Sequence, residues 1–266
     1  MNIVIIGGGN MGRSFVSGLK ASNFDSIFVV EKNEENKKAS EELQVKAFTT
    51  LEELSKKIEL SNEDIFLIAV KPKDVKEVVE QAFTIFPQTK TFISIAAGLA
   101  IESIKSVSNE ITVIRAMPNL GASQKQSATA VCFTGDASSD IRTKSIQILE
   151  SVGKVFEVDE KQMNLITAVS GSGPAYYFLL SEELEKFAIK NGLDENIARS
   201  LVAQTLKSAD AVSNEDVSFS SLREQVTSPG GTTQAALTSF QEANFTEIVE
   251  SALKAATIRA EQLNNQ

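Results

Sequence analysis

Short apolar segments alternate with amphipathic ones through roughly the first 157 residues of the chain. Eight of the apolar segments have the length and composition of strands, near residues 2–6, 27–31, 45–48, 64–70, 90–95, 111–115, 129–134 and 154–157. Segments with helical spacing of apolar residues lie between most of them. This alternation predicts an α/β fold, with a doubly wound, mostly parallel sheet covered by helices on both faces.

After about Asp159 the pattern changes to helices alone. One helix is predicted over 174–190, a second after Asp194, whose side chain can cap it, and the clearest from Phe245 to Leu263. We therefore predict two domains, 1–158 around the sheet and an all-helical domain over 159–266. Because the helical part has few aromatic residues for a core, we expect its apolar faces to pack on a second copy of the chain.

The first strand runs directly into a glycine-rich loop. Gly7, Gly9 and Gly12 have the spacing G-x-G-x-x-G, and an amphipathic helix follows. The first glycine permits a tight turn, the second lets a pyrophosphate approach the backbone, and the third lets the helix pack closely. The second predicted strand ends in Glu31, near the offset of an acid that binds the adenosine ribose. These features predict a Rossmann-type dinucleotide-binding domain.

Composition narrows the function by exclusion. The chain has 266 residues, of which 42% are hydrophobic, and a formal net charge of −9, which argues against a nucleic-acid partner. We expect no membrane span and no secretory leader, and the single Cys132 cannot form an intrachain disulfide, which fits a cytoplasmic location. The chain has no histidine, so histidine-based triads, histidine-ligated zinc and imidazole bases are excluded. Hydride transfer tolerates this because the cofactor performs the difficult step.

Three loops follow predicted strands at the edge where such sheets bind ligands. They are Val70-Lys71-Pro72, Ala96-Ala97-Gly98 and Arg115 to Asn119. Small residues in the second loop let a flat nicotinamide lie against the chain. For each loop alone, an ordinary strand-to-helix connection is an equal interpretation: Lys71 could be solvated, and Arg115 could form a surface ion pair.

Two glycine-rich segments lie in the helical half, at 170–174 and 228–233. Both are predicted to precede a helix and to present hydroxyl groups and backbone N–H groups at its N-terminus. Such a place binds an anion, either a phosphate or a small carboxylate. The alternative is a pair of helices capped by serine and threonine.

Taken together, these segments resemble the pyrroline-5-carboxylate reductase family along nearly the whole chain. The matching pieces are Gly7–Gly12 with Asn10-Met11, 70–72, 94–98, 114–119, 169–176 and 226–233. The resemblance implies a Rossmann domain followed by a helical dimerisation domain, with dimers that often assemble into a decamer. It implies reduction of 1-pyrroline-5-carboxylate to L-proline by NADPH or NADH, with no metal.

The resemblance also implies roles for particular residues. The substrate set is Gly230, Gly231, Thr232, Thr233, Glu160 and Ser172, with Ser228 and Thr233 as the catalytic pair. The Gly231 and Thr232 N–H groups would bind the substrate carboxylate, and the Thr233 hydroxyl the ring nitrogen. The cofactor set is Gly7, Gly8, Gly9, Asn10, Met11, Gly12, Val70, Lys71, Pro72, Ala96, Ala97, Gly98, Asn119 and Gln225, to which we add Glu31, Lys32 and Asn33 after the second strand.

The chain departs from the family pattern at three places. Leu120-Gly121 replaces Thr-Pro, 218–220 replaces His-Pro-Gly, and Glu31 stands where NADPH-preferring members have a small or hydroxyl residue. A carboxylate about 4 Å from a 2′-phosphate costs up to ~4 kcal/mol at an effective dielectric of ~20, and less if it rotates into solvent. Lys32 and Asn33 could still contact a phosphate. We expect NADH to be used well and NADPH to be less dominant than is usual in the family. A non-catalytic NAD(P)-binding sensor, or a reductase of a related imine or hydroxy acid, is the alternative function.

Overall fold

The computed structural model describes residues 1–213 and 216–264. Packing divides the chain into two compact units. The first consists of Met1–Ser172 together with Ala256–Gln266, and the second of Gly173–Ala255. Each unit is described by itself below.

The first unit is built on an eight-stranded sheet with the strand order β3-β2-β1-β4-β5-β6-β7-β8. All eight predicted strands are present, with ends shifted by a few residues. They are β1 Ile3–Ile6, β2 Ile27–Val30, β3 Lys46–Phe48, β4 Ile65–Ile68, β5 Thr91–Ser94, β6 Thr112–Met117, β7 Ser127–Phe133 and β8 Gly153–Glu157. The predicted fold class, a doubly wound and mostly parallel sheet, is confirmed.

The central strands are buried on both faces, which explains why they read as continuous apolar runs. Successive side chains of β1 point to opposite sides of the sheet. Ile3 and Ile5 belong to one hydrophobic layer, and Val4 and Ile6 to the other. Neighbouring strands repeat this pattern, so two cores cover the two faces of one sheet.

One pair of strands is antiparallel, β6 with β7. The connection between them covers only residues 118–126, which is shorter than the dozen or more residues that a parallel crossover needs. The chain therefore reverses direction at the sheet, and β8 then pairs parallel to β7.

Helices cover both faces of the sheet and form the second unit. Their bounds are α1 Asn10–Ala21, α2 Glu34–Glu41, α3 Leu51–Ser55, α4 Val75–Ile85, α5 Ile101–Lys105, α6 Ser139–Glu150, α7 Met163–Ile166, α8 Gly173–Lys190, α9 Glu195–Val212, α10 Phe219–Gln225, α11 Thr232–Glu242 and α12 Phe245–Asn264. Helix α1 packs Phe15, Val16 and Leu19 into the same layer as Ile3 and Ile5. No described helix is long and apolar enough to cross a membrane.

The second unit contains α8 to α11 and most of α12. The Asp194 carboxylate accepts hydrogen bonds from the Asn196 and Ile197 N–H groups, so the predicted cap of α9 is confirmed. Among the described residues of 173–255, only Gly173 and Ala198 are buried. Large apolar side chains are exposed instead, including Tyr177, Leu179, Phe187, Leu201 and Ile248. This unit therefore has almost no core of its own.

The segment 170–174 corrects a sequence-based expectation. It was expected to precede a helix with free N–H groups, but Thr167–Gly171 forms a π-helical turn between α7 and α8. The Ser172 N–H donates to the Thr167 carbonyl oxygen at 2.9 Å and is therefore occupied. Pro174 does lie in the first turn of α8, where its missing N–H costs nothing. Ser170 and Ser172 therefore lie in a nearly continuous run of helical turns that leads into α8.

The predicted division at residues 158 and 159 remains a prediction. Strand β8 ends at Glu157, so the change from sheet to helix lies where the pattern placed it. Packing, however, groups 159–172 with the sheet. Met163 and Ala168 are fully buried, and Met163 belongs to a core layer of the sheet.

The thiol of Cys132 is expected to be chemically inert. It is 4% exposed on β7, and burial, together with the nearby Glu160 charge, raises its pKa to about 12. Since the thiolate is the reactive form, the protonated thiol should react with Ellman's reagent at least ~100-fold more slowly than a free cysteine of pKa ~8.5 at pH 8. The measurement is the labelling rate of the native protein, with the denatured chain as the control. Rapid labelling of the native protein would contradict the inference.

Candidate active site

The carboxyl ends of the central strands meet at one edge of the sheet. Ile6 is paired with Val30 on one side and with Ile68 on the other. Pairing continues one residue further, because the Gly7 N–H donates to Val30 O at 2.9 Å and the Ala69 N–H to Ile6 O at 2.8 Å. The loops that follow β1, β2 and β4 therefore emerge side by side.

The glycine loop has the geometry that its spacing predicts. Gly7 has a φ of +109°, and a Cβ there would lie 2.6 Å from the Ala69 carbonyl oxygen. A Cβ on Gly12 would lie 2.0 Å from the Gly7 carbonyl oxygen, so α1 approaches the turn too closely for any side chain. Gly9 is different, because a Cβ there would meet no atom within 4 Å. Two glycines are thus required by packing, and the third leaves open space beside the backbone.

Helix α1 begins without a capping side chain. Its N-cap is Gly9, and its first turn contains no acidic residue. By contrast, the side chains of Asn33, Thr50 and Ser138 cap α2, α3 and α6. The first N–H groups of α1 and the positive end of its dipole therefore face the open space at Gly9. This arrangement fits the pyrophosphate of a dinucleotide.

Glu31 is hydrogen-bonded to the glycine loop itself. Its Oε2 accepts from the Gly8 N–H at 2.7 Å, and its Oε1 accepts from the Asn33 N–H at 2.7 Å. Both oxygens of the carboxylate are thus held by backbone donors.

Arg13 also binds the glycine loop through its guanidinium. Its guanidinium donates to the Gly8 carbonyl oxygen at 2.6 Å, to Asn10 Oδ1 at 2.8 Å and to Asn36 Oδ1 at 3.1 Å. Sequence reasoning missed Arg13, although it directly follows Gly12. Its position, one residue beyond the fingerprint, could have identified it as a contact of the loop.

A cavity of about 640 Å³ opens at this edge of the sheet. Six residues of the predicted cofactor set line it: Gly7, Gly9, Glu31, Lys32, Val70 and Lys71. Sequence reasoning missed the rest of the wall, which comes from α2, the loop after β3, and the start of α4. These residues include Asn36, Thr49, Thr50, Glu52, Lys73, Asp74 and Glu77. Thr49 and Thr50 directly follow β3, and this position at the end of a parallel strand could have predicted that they line the cavity.

Other members of the predicted cofactor set lie outside this cavity. Pro72 begins a short 3-10 turn before α4. In the 96–98 loop, a Cβ on Gly98 would lie 2.4 Å from Leu263 Cβ, so the end of α12 packs on this loop.

Asn119 accepts from the Gly121 N–H at 3.0 Å and donates to Ser170 Oγ at 3.3 Å. Leu120 starts a 3-10 turn that replaces the family's Thr-Pro, and its side chain is exposed.

Arg115 and Glu160 form an ion pair that ties the sheet to the chain beyond β8. Arg115 is only 4% exposed, and its Nη1 donates to Glu160 Oε1 at 3.0 Å. The same oxygen accepts from the Ile101 N–H at 2.7 Å, at the start of α5. Arg115 therefore does form an ion pair, but its guanidinium is buried and does not lie at the surface. The predicted role of Glu160 toward substrate remains a prediction.

The segment 228–233 forms a tight turn at the start of α11 in the second unit. Gly230 has a φ of +73°, and the Gly231 N–H donates to Ser228 O at 3.0 Å. Gly231 is the N-cap and provides no capping side chain, and the first turn of α11 has no acidic residue. Thr232 and Thr233 lie within this first turn. Gln225, also in the cofactor set, ends α10 a short distance earlier in the chain.

The fold and the glycine loop define an NAD(P)-dependent oxidoreductase of the Rossmann class. A family model described as NADP oxidoreductase coenzyme F420-dependent matches residues 2–98, and one described as pyrroline-5-carboxylate reductase dimerisation matches 160–263.

Relatives of known name match the chain along its whole length. A pyrroline-5-carboxylate reductase of Haemophilus influenzae is 34% identical, over 98% of this chain and 97% of that protein. The reductase structure from Coxiella burnetii has a TM-score of 0.87 at 35% identity, covering 98% of both chains. The Plasmodium falciparum pyrroline carboxylate reductase with NADP bound has a TM-score of 0.85 at 27% identity, covering 99% of this chain and 98% of that one. The chain belongs to the pyrroline-5-carboxylate reductase family.

Two alanine substitutions separate the packing and binding roles of the loop. Gly12→Ala should lower the free energy of unfolding by about 2–3 kcal/mol, because its Cβ overlaps the Gly7 carbonyl oxygen. Gly9→Ala should cost less than about 1 kcal/mol yet weaken dinucleotide binding at least ~10-fold, because its methyl group enters the open space. Urea unfolding at fixed protein concentration and cofactor titration measure the two effects. Equal stability of the two variants would contradict this assignment.

Proposed function

We propose that this protein reduces the C=N bond of 1-pyrroline-5-carboxylate to give L-proline, with NADH or NADPH as the hydride donor. The observation that carries the proposal is that α1 and α11 both begin at a glycine, without a capping side chain and without an acid in the first turn. One of these helix ends suits the cofactor phosphates, and the other a small carboxylate. Membership of the reductase family supports the same reaction.

The cofactor would bind at the carboxyl edge of the sheet. The N–H groups at Gly9 and the start of α1 would receive the pyrophosphate, and the cavity beside Glu31 would receive the adenosine ribose. Residues 70–72 and 96–98, together with Asn119 and Gln225, remain proposed contacts on the basis of family resemblance. When bound, the reduced nicotinamide supplies the hydride.

The substrate would be held by the turn at 228–233. The Gly231 N–H donates to Ser228 O and is therefore occupied, which corrects its predicted role toward the substrate carboxylate. That carboxylate would instead be bound by N–H groups in the first turn of α11, beginning with the N–H of Thr232. The Ser228 and Gly230 backbone shapes the turn. The Thr233 hydroxyl would hold the ring nitrogen. Glu160 and Ser172 remain proposed substrate contacts on family resemblance alone.

The reaction needs no strong protein acid. A protonated C=N bond is electrophilic, and solvent can supply that proton. Catalysis would then consist mainly of positioning donor and acceptor. A chain without histidine is well suited to this chemistry.

Turnover separates the proposal from its alternatives. The purified protein should oxidise NADH or NADPH when 1-pyrroline-5-carboxylate is present. A protein that binds the cofactor without turnover would be a nucleotide sensor. Turnover only with another ring imine or a hydroxy acid would identify a related reductase.

Thr233→Ala tests the substrate site. We expect kcat/KM to fall about 10- to 100-fold, because a hydrogen bond to the reacting nitrogen is lost, while the Kd for cofactor stays within about twofold. Thr238→Ala, an exposed threonine on the same helix, is the matched control and should leave both values unchanged. If Thr233→Ala lowered substrate affinity and cofactor affinity equally, the assignment of Thr233 to the substrate site would be wrong.

We further propose that the protein works as a homodimer in the cytoplasm. Two observations support the dimer: the match to a dimerisation family model, and the large apolar side chains that the second unit exposes. Tyr177, Leu179 and Phe187 are each 60% or more exposed, which is unusual for single-chain helices. A decamer of five such dimers is the higher assembly that the family resemblance implies. The lone buried thiol suits a reducing compartment.

The assembly predicts that stability depends on protein concentration. Unfolding should shift to higher urea as concentration rises, because dissociation and unfolding are coupled. Sedimentation velocity should show even multiples of the 28.7 kDa chain. A folded monomer with concentration-independent unfolding would contradict the proposal.

A further inference from the structure

The position of the Glu31 carboxylate bears on which cofactor is accepted. Its two oxygens accept from the Gly8 and Asn33 N–H groups, both at 2.7 Å. A carboxylate on an unrestrained side chain could rotate into solvent and avoid a phosphate. Here rotation would break two charge-assisted hydrogen bonds to the backbone, which are stronger than neutral ones. The negative charge is therefore fixed beside the glycine loop.

This fixed charge lines the cavity proposed for the adenosine ribose. A carboxylate at the end of β2 is a good acceptor for the two ribose hydroxyls. The 2′-phosphate of NADPH would instead place a charge of nearly −2 close to it. The repulsion at short range in a partly enclosed site is not fully screened.

The rest of the cavity offers the phosphate little compensation. Three acids besides Glu31 line it, Glu52, Asp74 and Glu77, against three lysines, Lys32, Lys71 and Lys73. The guanidinium of Arg13 is not among the lining groups, and it donates to the Gly8 carbonyl oxygen and to two side-chain amide oxygens. No excess of positive charge is directed at the ribose.

We propose that Glu31, held on the glycine loop by the Gly8 and Asn33 N–H groups, is the specificity-determining residue that makes this chain select NADH over NADPH. The inference rests on the proposed function, because it presumes that a dinucleotide binds here. It names the cofactor that the family resemblance leaves open.

The test is binding of the cofactors alone, without substrate. Titration followed by nicotinamide fluorescence should give a Kd for NADH at least about tenfold below that for NADPH. In Glu31→Gln, which removes the charge and keeps one acceptor, the ratio of the two Kd values should narrow about tenfold. Calorimetry with AMP and adenosine 2′,5′-bisphosphate should show the same change without any nicotinamide.

Two further variants make the result specific. Glu35→Gln makes the same charge change at an exposed position of α2 that does not line the cavity, so the ratio should stay unchanged. Arg13→Gln tests whether the guanidinium leaves Gly8 to receive the 2′-phosphate. We expect it to weaken both cofactors by a similar factor, and a loss confined to NADPH would overturn the proposal.

The outcomes separate this inference from the proposed function. Tighter NADPH binding in the unmodified protein, or an unchanged ratio in Glu31→Gln, overturns the role of Glu31 and leaves the reductase proposal intact. If neither cofactor binds, both the role of Glu31 and the reductase proposal are overturned. If the ratio of the NADPH Kd to the NADH Kd falls at high salt, this supports an electrostatic origin of the selection against NADPH.

Discussion

Burial of both faces of the central strands is the constraint on which the rest of the structure depends. The side chains of β1 alternate between two hydrophobic layers, so helices must cover each face. Parallel strands then end at the same edge, where the backbone turns away and donors become available. The glycine turn after β1, the acid after β2 and the loop after β4 are neighbours for this reason.

The two helix ends proposed as binding sites each combine a glycine N-cap with the absence of a capping side chain and of an acid in the first turn. Side chains of Asn33, Thr50, Ser138, Asp194 and Ser218 cap five helices. Helices α1 and α11 begin at glycine, so their first N–H groups would be available to the anions proposed to bind there. A cofactor pyrophosphate and a substrate carboxylate are both anions, so one physical device suits both ligands. The missing histidine matters little when binding and orientation are the main tasks.

Local pattern predicted the strands, the cap at Asp194, the turn at Gly7 and the close helix approach at Gly12, because each depends mainly on residues near in sequence. It failed where distant residues decide. The π-helical turn at 167–171 places Gly171, where a Cβ would lie 2.5 Å from Met117 Cε, against β6. The ion pair between the buried Arg115 and the partly exposed Glu160 joins residues far apart in the chain. The cavity walls from α2, α3 and α4 likewise depend on tertiary packing.

The hydrogen bonds of Glu31 restrict a side chain whose position the sequence alone left open. Its type and offset suggested a ribose ligand, but a free carboxylate could also have turned away from the site. Its hydrogen bonds to Gly8 and Asn33 remove that freedom. Arg13 donates to the Gly8 carbonyl oxygen, so a negative and a positive group bind the N–H and the C=O of one glycine. The same contacts therefore set the conformation of the loop and the position of the charge beside it. Under the proposed role of Glu31, cofactor choice would depend on these backbone hydrogen bonds as much as on residue type.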